Sequence, residues 1–298
     1  MNCKVIYPTT EIMKGYFLAY YSYLLKGFKD LGCSIEYDKK LNTESINKGF
    51  FHILAIDIYL NNKKYRIYYD WSDFQLGFKR EIRLNEFYFK VECNLGHIYR
   101  YGIYPIGHGV TYCDEYFNNL EMLRELRKKK NYKYNIMFKG RATSPCMGKE
   151  SERIKVIKIL EKHPEFNSSL LVLYYTVNRP NYKPVKNKTD YLQFLKEVAH
   201  SKINLLLPGV GEFTWRISET LGIGACGLMP KLSSILPGNP KNCWIEVERD
   251  YSDLVSKIDY YLKHDEEREI IAKNGLKYFE EWLSPKAQAS YILRVLEK

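Results

Sequence analysis

The densest chemistry in this 298-residue sequence lies between Ser201 and Pro230, SKINLLLPGVGEFTWRISETLGIGACGLMP. An apolar run enters Pro208-Gly209-Val210-Gly211, and a helix is expected to begin at once, from about Glu212. Glycines just after a strand let backbone N–H groups come close to a ligand, and a helix N-terminus adds unpaired donors at its positive dipole end. Such a junction suits an anion, a pyrophosphate in particular. On the expected helix Glu212, Arg216 and Glu219 fall at i, i+4 and i+7, opposite apolar Phe213, Ile217 and Leu221. Arg216 is the candidate to neutralise a diphosphate, and Glu219 the candidate to accept hydrogen bonds from a ribose diol or sugar hydroxyls. Gly209, Gly211 and Thr214 complete this part of the expected donor-binding set. The competing account is a wet helix face whose Glu–Arg pairs contribute a few tenths of a kcal/mol.

Two further groups could take part. Lys139-Gly140-Arg141 follows the apolar run YNIMF, so its basic side chains belong at a strand's C-terminal edge, where ligands bind in α/β sheets. Arg153, on ESERIKVIKI, reads instead as a solvated surface charge. In the N-terminal half, YYDWSDF (68–74) sets Asp70 and Asp73 just past a strand. A group that takes a proton from an attacking hydroxyl must be a carboxylate or an imidazole. Asp70, Asp73, Glu92 and His108 qualify by position, and Asp73 ranks first. The plainer roles are an N-cap for Asp73 and polar surface for His108 in its Gly-flanked turn, PIGHG.

Several chemistries find no support. There is no HxxxH or HxH spacing for a metal hydrolase, no GxxxxGK[ST] phosphate loop and no GxSxG elbow. Seven cysteines without a CxxC pair argue against a disulfide framework or a structural zinc site and fit reduced thiols in a cytosol. No apolar run reaches the roughly 18 residues that a membrane-spanning helix needs, and the N-terminus does not read as a secretory signal. At 45% hydrophobic and 27% charged residues, the chain is expected to fold and to be soluble. Its net charge of +11 calls for anionic company: nucleic acid, ligand phosphates or an acidic membrane surface. Scattered Lys-rich stretches such as KNYKYN are accounted for equally well by AT-rich coding.

The elements that must position these residues alternate along the whole chain. Strands are expected at 3–8, 33–37, 86–91 and 100–107, a helix over about 14–31, and a hairpin turning at Asn61-Asn62. A helix ending in the basic stretch Arg127–Lys130 reads as a solvated hinge, after which the alternation restarts: strand 134–140, helix, SLLVLYY, helix, KINLLLPG. CGLMP and CWIEV are short strands, and helices over about 250–263, 265–283 and 285–297 close the chain. Strands alternating with helices imply parallel sheets with helices on both faces, and a restart implies two such domains with a cleft between them.

The segment around Arg216-Ile217-Ser218-Glu219, followed by Gly224-Ala225-Cys226-Gly227, resembles the donor-binding signature of GT-B glycosyltransferases. The resemblance is to family-one-like and exostosin-like sugar transferases of bacteria or viruses, and it runs from about Tyr68 to Pro285. Retaining members often carry two glutamates separated by seven residues; here six residues lie between Glu212 and Glu219. The resemblance implies an α/β protein of two Rossmann-like domains facing each other across a cleft. Residues 1–130 would bind the acceptor, 131–284 would bind the nucleotide-sugar donor, and 285–298 would pack back on the first domain. It implies sugar transfer from a nucleotide diphosphate to a hydroxyl of a glycan or glycolipid, and a basic residue of Lys139–Arg141 holding the leaving diphosphate. Neither metal nor cofactor is expected: no isolated DxD occurs, and cationic side chains with a helix dipole would replace the ion. The expected setting is the cytoplasm, with peripheral contact to an anionic membrane through the basic hinge.

The alternatives are a nucleotide-sugar epimerase of the same fold, which would release no free nucleotide diphosphate, and a basic nucleic-acid-binding protein. The latter would lose affinity steeply with salt; no nucleic-acid partner is expected.

Overall fold

A computed structural model describes residues 3–9, 11, 16–48, 51–73, 82–95, 102–109, 116–128, 131–142, 151–173 and 191–298. The chain divides into two compact units: Met1–Leu120 with Ser233–Pro240 and Phe279–Lys298, and Glu121–Leu232 with Lys241–Tyr278. The sequence reading divides at 130/131 and gives the tail from 285 to the first domain; the compact units divide at Leu120 and Phe279, with Ser233–Pro240 also in the first.

The first unit is built on β1 (Cys3–Tyr7), β2 (Ser34–Tyr37), β3 (Ile46–Lys48), β4 (Phe51–Leu60), β5 (Lys63–Asp70), β6 (Glu86–Lys90) and β7 (Tyr104–Pro105). Strand order is β2-β1-β4-β5-β6-β7, with β3 also on β4. The β4–β5 hairpin turns through Asn61 and Asn62, both left-handed at φ 51° and 65°, a conformation that asparagine tolerates and that matches strand twist. This hairpin makes the sheet mixed: β4 runs antiparallel to β1 and β5, while β1–β2, β5–β6 and β6–β7 are parallel. The expected hairpin thus interrupts the expected parallel pairing, because a two-residue turn can only join antiparallel neighbours. Helix α1 (Tyr16–Asp30) ends at Gly32, whose φ of 77° suits a residue without Cβ.

Helix α2 (Tyr116–Arg127) leads to the second unit, with β8 (Tyr134–Arg141), α3 (Glu152–Leu160), β9 (Ser168–Leu173), α4 (Tyr191–Ala199), β10 (Ser201–Leu205) and α5 (Trp215–Ile223). Then come β11 (Gly227–Pro230), β12 (Ile245–Val247), α6 (Leu254–Lys263) and α7 (Asp265–Tyr278). All five strands are parallel, in the order β12-β11-β10-β8-β9. The chain starts at β8, steps to β9 on one side, then crosses to β10 on the other. Between β8 and β10 the winding reverses, and ligands of such sheets bind outside the strands' carboxyl ends at that point. Ile136, Phe138, Ile203, Leu205, Leu228 and Ile245 form the centre of this unit's core.

The expected helix over 265–283 ends as α-helix at Tyr278, and one turn of π-helix, Phe279–Leu283, carries the chain into the first unit. There α8 (Pro285–Leu296) packs on α1: a Cβ on Gly27 would lie 2.0 Å from the Pro285 carbonyl oxygen, so only glycine fits. Among the described residues no helix is long and apolar enough to cross a membrane. In the basic hinge, Arg127 Nε donates to the Gly222 carbonyl and Lys128 pairs with Glu125, so Arg127 is packed and not solvated. Lys129 and Lys130 lie outside the described residues, as do Tyr174 and Tyr175 of the SLLVLYY run.

Candidate active site

The strand ends at the reversal of the second sheet carry the residues singled out in the sequence. Lys139 and Arg141 close β8, and Pro208–Gly211 follows β10. Gly209 N–H donates to the Gly211 carbonyl at 2.8 Å, so one of the expected loop donors is engaged within the loop. Helix α5 starts at Trp215, not at Glu212, with Thr214 as its extended N-cap residue. Glu212 and Phe213 therefore lie before the helix, and the i, i+4, i+7 stripe does not form. Glu212 instead pairs with Arg249, while Phe213 is buried.

Arg216 is the centre of the arrangement. It is half-buried as a residue, and its guanidinium lies 4.8 Å from the Phe138 ring centroid and 5.7 Å from that of Phe194. Nη2 donates to the Lys139 carbonyl, and Gly140 provides the room: a Cβ there would stand 3.0 Å from Nη2 and from the Phe138 ring. Nε is sealed from solvent with no hydrogen-bond partner, and so is Thr214 Oγ1. Burial pulls the Arg216 pKa below its ordinary value, and the charge of Glu219 pulls it back up. A guanidinium remains protonated under such a shift, so its charge survives.

Glu219 is buried, at 3% exposure, and not on a wet face. Its Oε1 accepts from Tyr191 Oη at 2.9 Å. A buried carboxylate without partners would be costly; with a hydroxyl donor and Arg216 one turn away it is sustainable. Lys139, expected to face a diphosphate, is paired with Glu197, at 2.8 Å to Oε1 and 2.6 Å to Oε2. Arg141 is exposed at the strand end. Arg153, read from the sequence as solvated, is 6% exposed: Nη1 donates to the Arg141 carbonyl at 2.8 Å and Nη2 to the Leu207 carbonyl at 3.2 Å. It thus bridges the ends of β8 and β10 across the reversal. Its helical period hides this, because position on α3 does not reveal that a long side chain reaches back over the sheet edge.

The first unit collects the other candidates at the ends of β5, β6 and β7. Asp70 is not an exposed loop carboxylate. It is 3% exposed and accepts from Tyr88 Oη at 2.8 Å, from Ser72 N–H at 2.8 Å and from Lys90 Nζ at 3.1 Å, with Lys90 itself 1% exposed. A carboxylate committed to a buried ion pair is a framework group and is unavailable to a substrate. Glu92 is also buried and accepts from Ser234 Oγ at 2.6 Å. His108 is buried as well, contrary to a polar-surface role; burial, then the Lys90 charge, hold its pKa down at about 3. Its backbone is gripped from the tail: Gln288 Nε2 donates to the carbonyls of Gly107 and His108 at 3.0 and 3.4 Å. Asp73 alone of the four base candidates is exposed; Phe74 and the segment it was expected to cap lie outside the described residues.

Among the described residues no cluster of three or more His, Cys, Asp or Glu could hold a metal ion. The model of the Glycosyl transferase-like family matches residues 121–294, more than half of the chain. No curated protein sequence matches. Three solved structures are distantly similar. A glycosyltransferase from Rickettsia africae is 14% identical, with 71% of this chain and 62% of that one covered and a TM-score of 0.41. The UDP-forming α,α-trehalose-phosphate synthase of Burkholderia vietnamiensis is 9% identical, with 68% and 56% covered and a TM-score of 0.43. The sucrose-phosphate synthase of Thermosynechococcus elongatus is 10% identical, with 70% and 57% covered and a TM-score of 0.40. The chain spans only 56% to 62% of the length of these three proteins.

Proposed function

We propose that this chain, which belongs to the glycosyl transferase-like family, moves a sugar from a nucleotide diphosphate to a hydroxyl of a glycan or lipid-linked glycan. The second unit binds the donor and the first unit the acceptor. The observation that carries this reading is the pair of sealed, unpartnered polar atoms at the start of α5, Arg216 Nε and Thr214 Oγ1, beside the reversal of a parallel sheet. An unmade buried hydrogen bond costs about 1–3 kcal/mol, which an oxygen-rich anion arriving there would recover.

In this mechanism the protein lowers the barrier mainly by electrostatics. As the bond from sugar to diphosphate breaks, negative charge grows on the leaving phosphate, and Arg216 with the N-terminus of α5 meets it. No metal is needed for that step. Glu219 accepts the ribose hydroxyls, which orients the donor along the helix. The acceptor hydroxyl gives its proton to Asp73, the exposed carboxylate among the candidates: His108 is buried and Asp70 is consumed by Lys90.

A thermal-shift screen of nucleotide sugars and nucleoside diphosphates tests the reading, because a ligand of the folded state alone raises apparent stability. At least one should raise Tm. Silence from UDP-, GDP- and ADP-sugars alike would overturn it.

A further inference from the structure

Helix α4 carries no motif, yet it touches three charged groups of the donor site, Glu219, Arg216 and Lys139. Tyr191, Phe194 and Glu197 are spaced three apart, on successive turns of one side. Tyr191 Oη donates to Glu219 Oε1 at 2.9 Å. The Phe194 ring lies 5.7 Å from the Arg216 guanidinium carbon and stacks on Tyr191 with centroids 6.3 Å apart. Glu197 receives Lys139 and is braced in turn by Gln193 Nε2 at 3.3 Å and Ser169 Oγ at 3.4 Å. Leu195, Val198 and Ala199 of the same helix are buried and anchor it.

We infer that α4 is the positioning element of the nucleotide site, with Tyr191 a positioning residue that sets the Glu219 carboxylate for the ribose diol. The inference rests on the proposed donor site and adds to it the part that makes the site read a nucleoside and not merely a phosphate. Each contact removes a freedom that binding would otherwise have to remove. Tyr191 fixes the rotation of the Glu219 carboxyl group, Phe194 limits the guanidinium plane of Arg216, and Glu197 draws the ammonium of Lys139 away from free solvation. Neutralised by Glu197, Lys139 adds little to anion affinity, which leaves Arg216 to meet the phosphates and Glu219 to discriminate what is attached to them. A carboxylate held by a hydroxyl donor offers its remaining lone pairs in one direction, as a 2′,3′-diol requires.

Tyr191→Phe removes the hydroxyl and keeps the ring stack, so it isolates this effect. Calorimetric titration of wild type and Tyr191→Phe with UDP, GDP and ADP, and with inorganic pyrophosphate, reads it. For the nucleoside diphosphate that wild type binds best, the Kd should rise about 3- to 10-fold in the variant, the loss expected for one hydrogen bond. The Kd for pyrophosphate, which carries no ribose, should stay the same, and so should that for the 2′,3′-dideoxy form of the chosen nucleotide. A purely structural role for Tyr191 would weaken all of these ligands together or none of them. Equal weakening of nucleotide and pyrophosphate, or no change in either while wild type binds, overturns the inference and leaves the donor site standing. If wild type binds none of the three nucleoside diphosphates, the donor site itself falls and the inference with it.

Discussion

Arg216 owes its place to two neighbours that have no charge. Gly140 leaves the space beside the end of β8, and Phe138 supplies the ring against which the guanidinium rests. Arg216→Ala should cut kcat/KM for transfer by about 2–4 kcal/mol of transition-state stabilisation, as removal of a preorganised donor does elsewhere. Far-UV circular dichroism should be unchanged; wild-type kinetics would remove it from the site. Asp73→Asn should lower kcat about 10²- to 10⁴-fold, the usual worth of a positioned base, and leave calorimetric nucleotide affinity intact. An unaltered kcat would return the role to another group. His108 makes its own prediction. Its folded pKa of about 3 is depressed from 6.5, so the unfolded chain takes up the proton first. Stability is full above pH 6.5 and is lost as pH falls toward 3; His52, lowered chiefly by burial, adds the same sign. In urea titrations between about pH 6 and pH 4.5, wild type should lose about 1 kcal/mol per pH unit more than His108→Gln.

Elements decide which polar groups end up together. The ends of β5 and β6 are parallel neighbours, with Asp70 directly paired to Lys90 in the ladder, so sheet register alone creates the buried ion pair. Such a pair contributes little net stability over an apolar one, but removing one partner strands a buried charge. Lys90→Ala should therefore destabilise the protein by about 3–5 kcal/mol, and Lys90→Ala with Asp70→Asn should recover part of that loss. Chemical denaturation of the three variants provides the measurement; additive losses would mean that the two groups act independently. In the second unit the ends of β8 and β10 play the corresponding part. Arg153 fastens the two strand-end carbonyls, and Arg216 takes a third from Lys139. Two arginines thus donate to three backbone carbonyls at the ends of these strands.

Across the whole molecule the chain returns to its beginning. After the π-helical turn at Phe279–Leu283, α8 lies against α1, Tyr23 Oη donates to the Leu283 carbonyl at 2.6 Å, and Gln288 is wholly buried against Gly107, His108 and Leu283. The first unit is therefore complete only with Phe279–Lys298 in place. Gly27→Ala tests the closeness of this packing: the added methyl would meet a backbone carbonyl that has no rotamer to change. A loss of about 1–3 kcal/mol is expected from overpacking, read as a lowered urea midpoint. No change in that midpoint would mean that α1 and α8 can separate at little cost.

The alternation of apolar strands and helices, the Asn61-Asn62 turn and the helix-ending Gly32 are legible because they are local: periodicity and backbone conformation act over a few residues. The same holds for the choice of Arg216, Glu219 and Lys139, which follow strand ends in a recognisable order. Their partners were not legible. Tyr191 lies 28 residues from Glu219, Glu197 lies 58 from Lys139, and neither pair shares an element or a period. Glu212 was misplaced by three residues at a helix start, where propensity barely separates loop from first turn. The sequence puts Asp70 just past a strand, at an exposed edge, and His108 in a Gly-flanked turn, whereas the sheet register and the tail helix bury both. Sequence thus determined which residues carry charge at the strand ends. Tertiary structure alone decided which charges meet each other and which are left to meet a ligand, because burial and pairing depend on distances that no local pattern encodes.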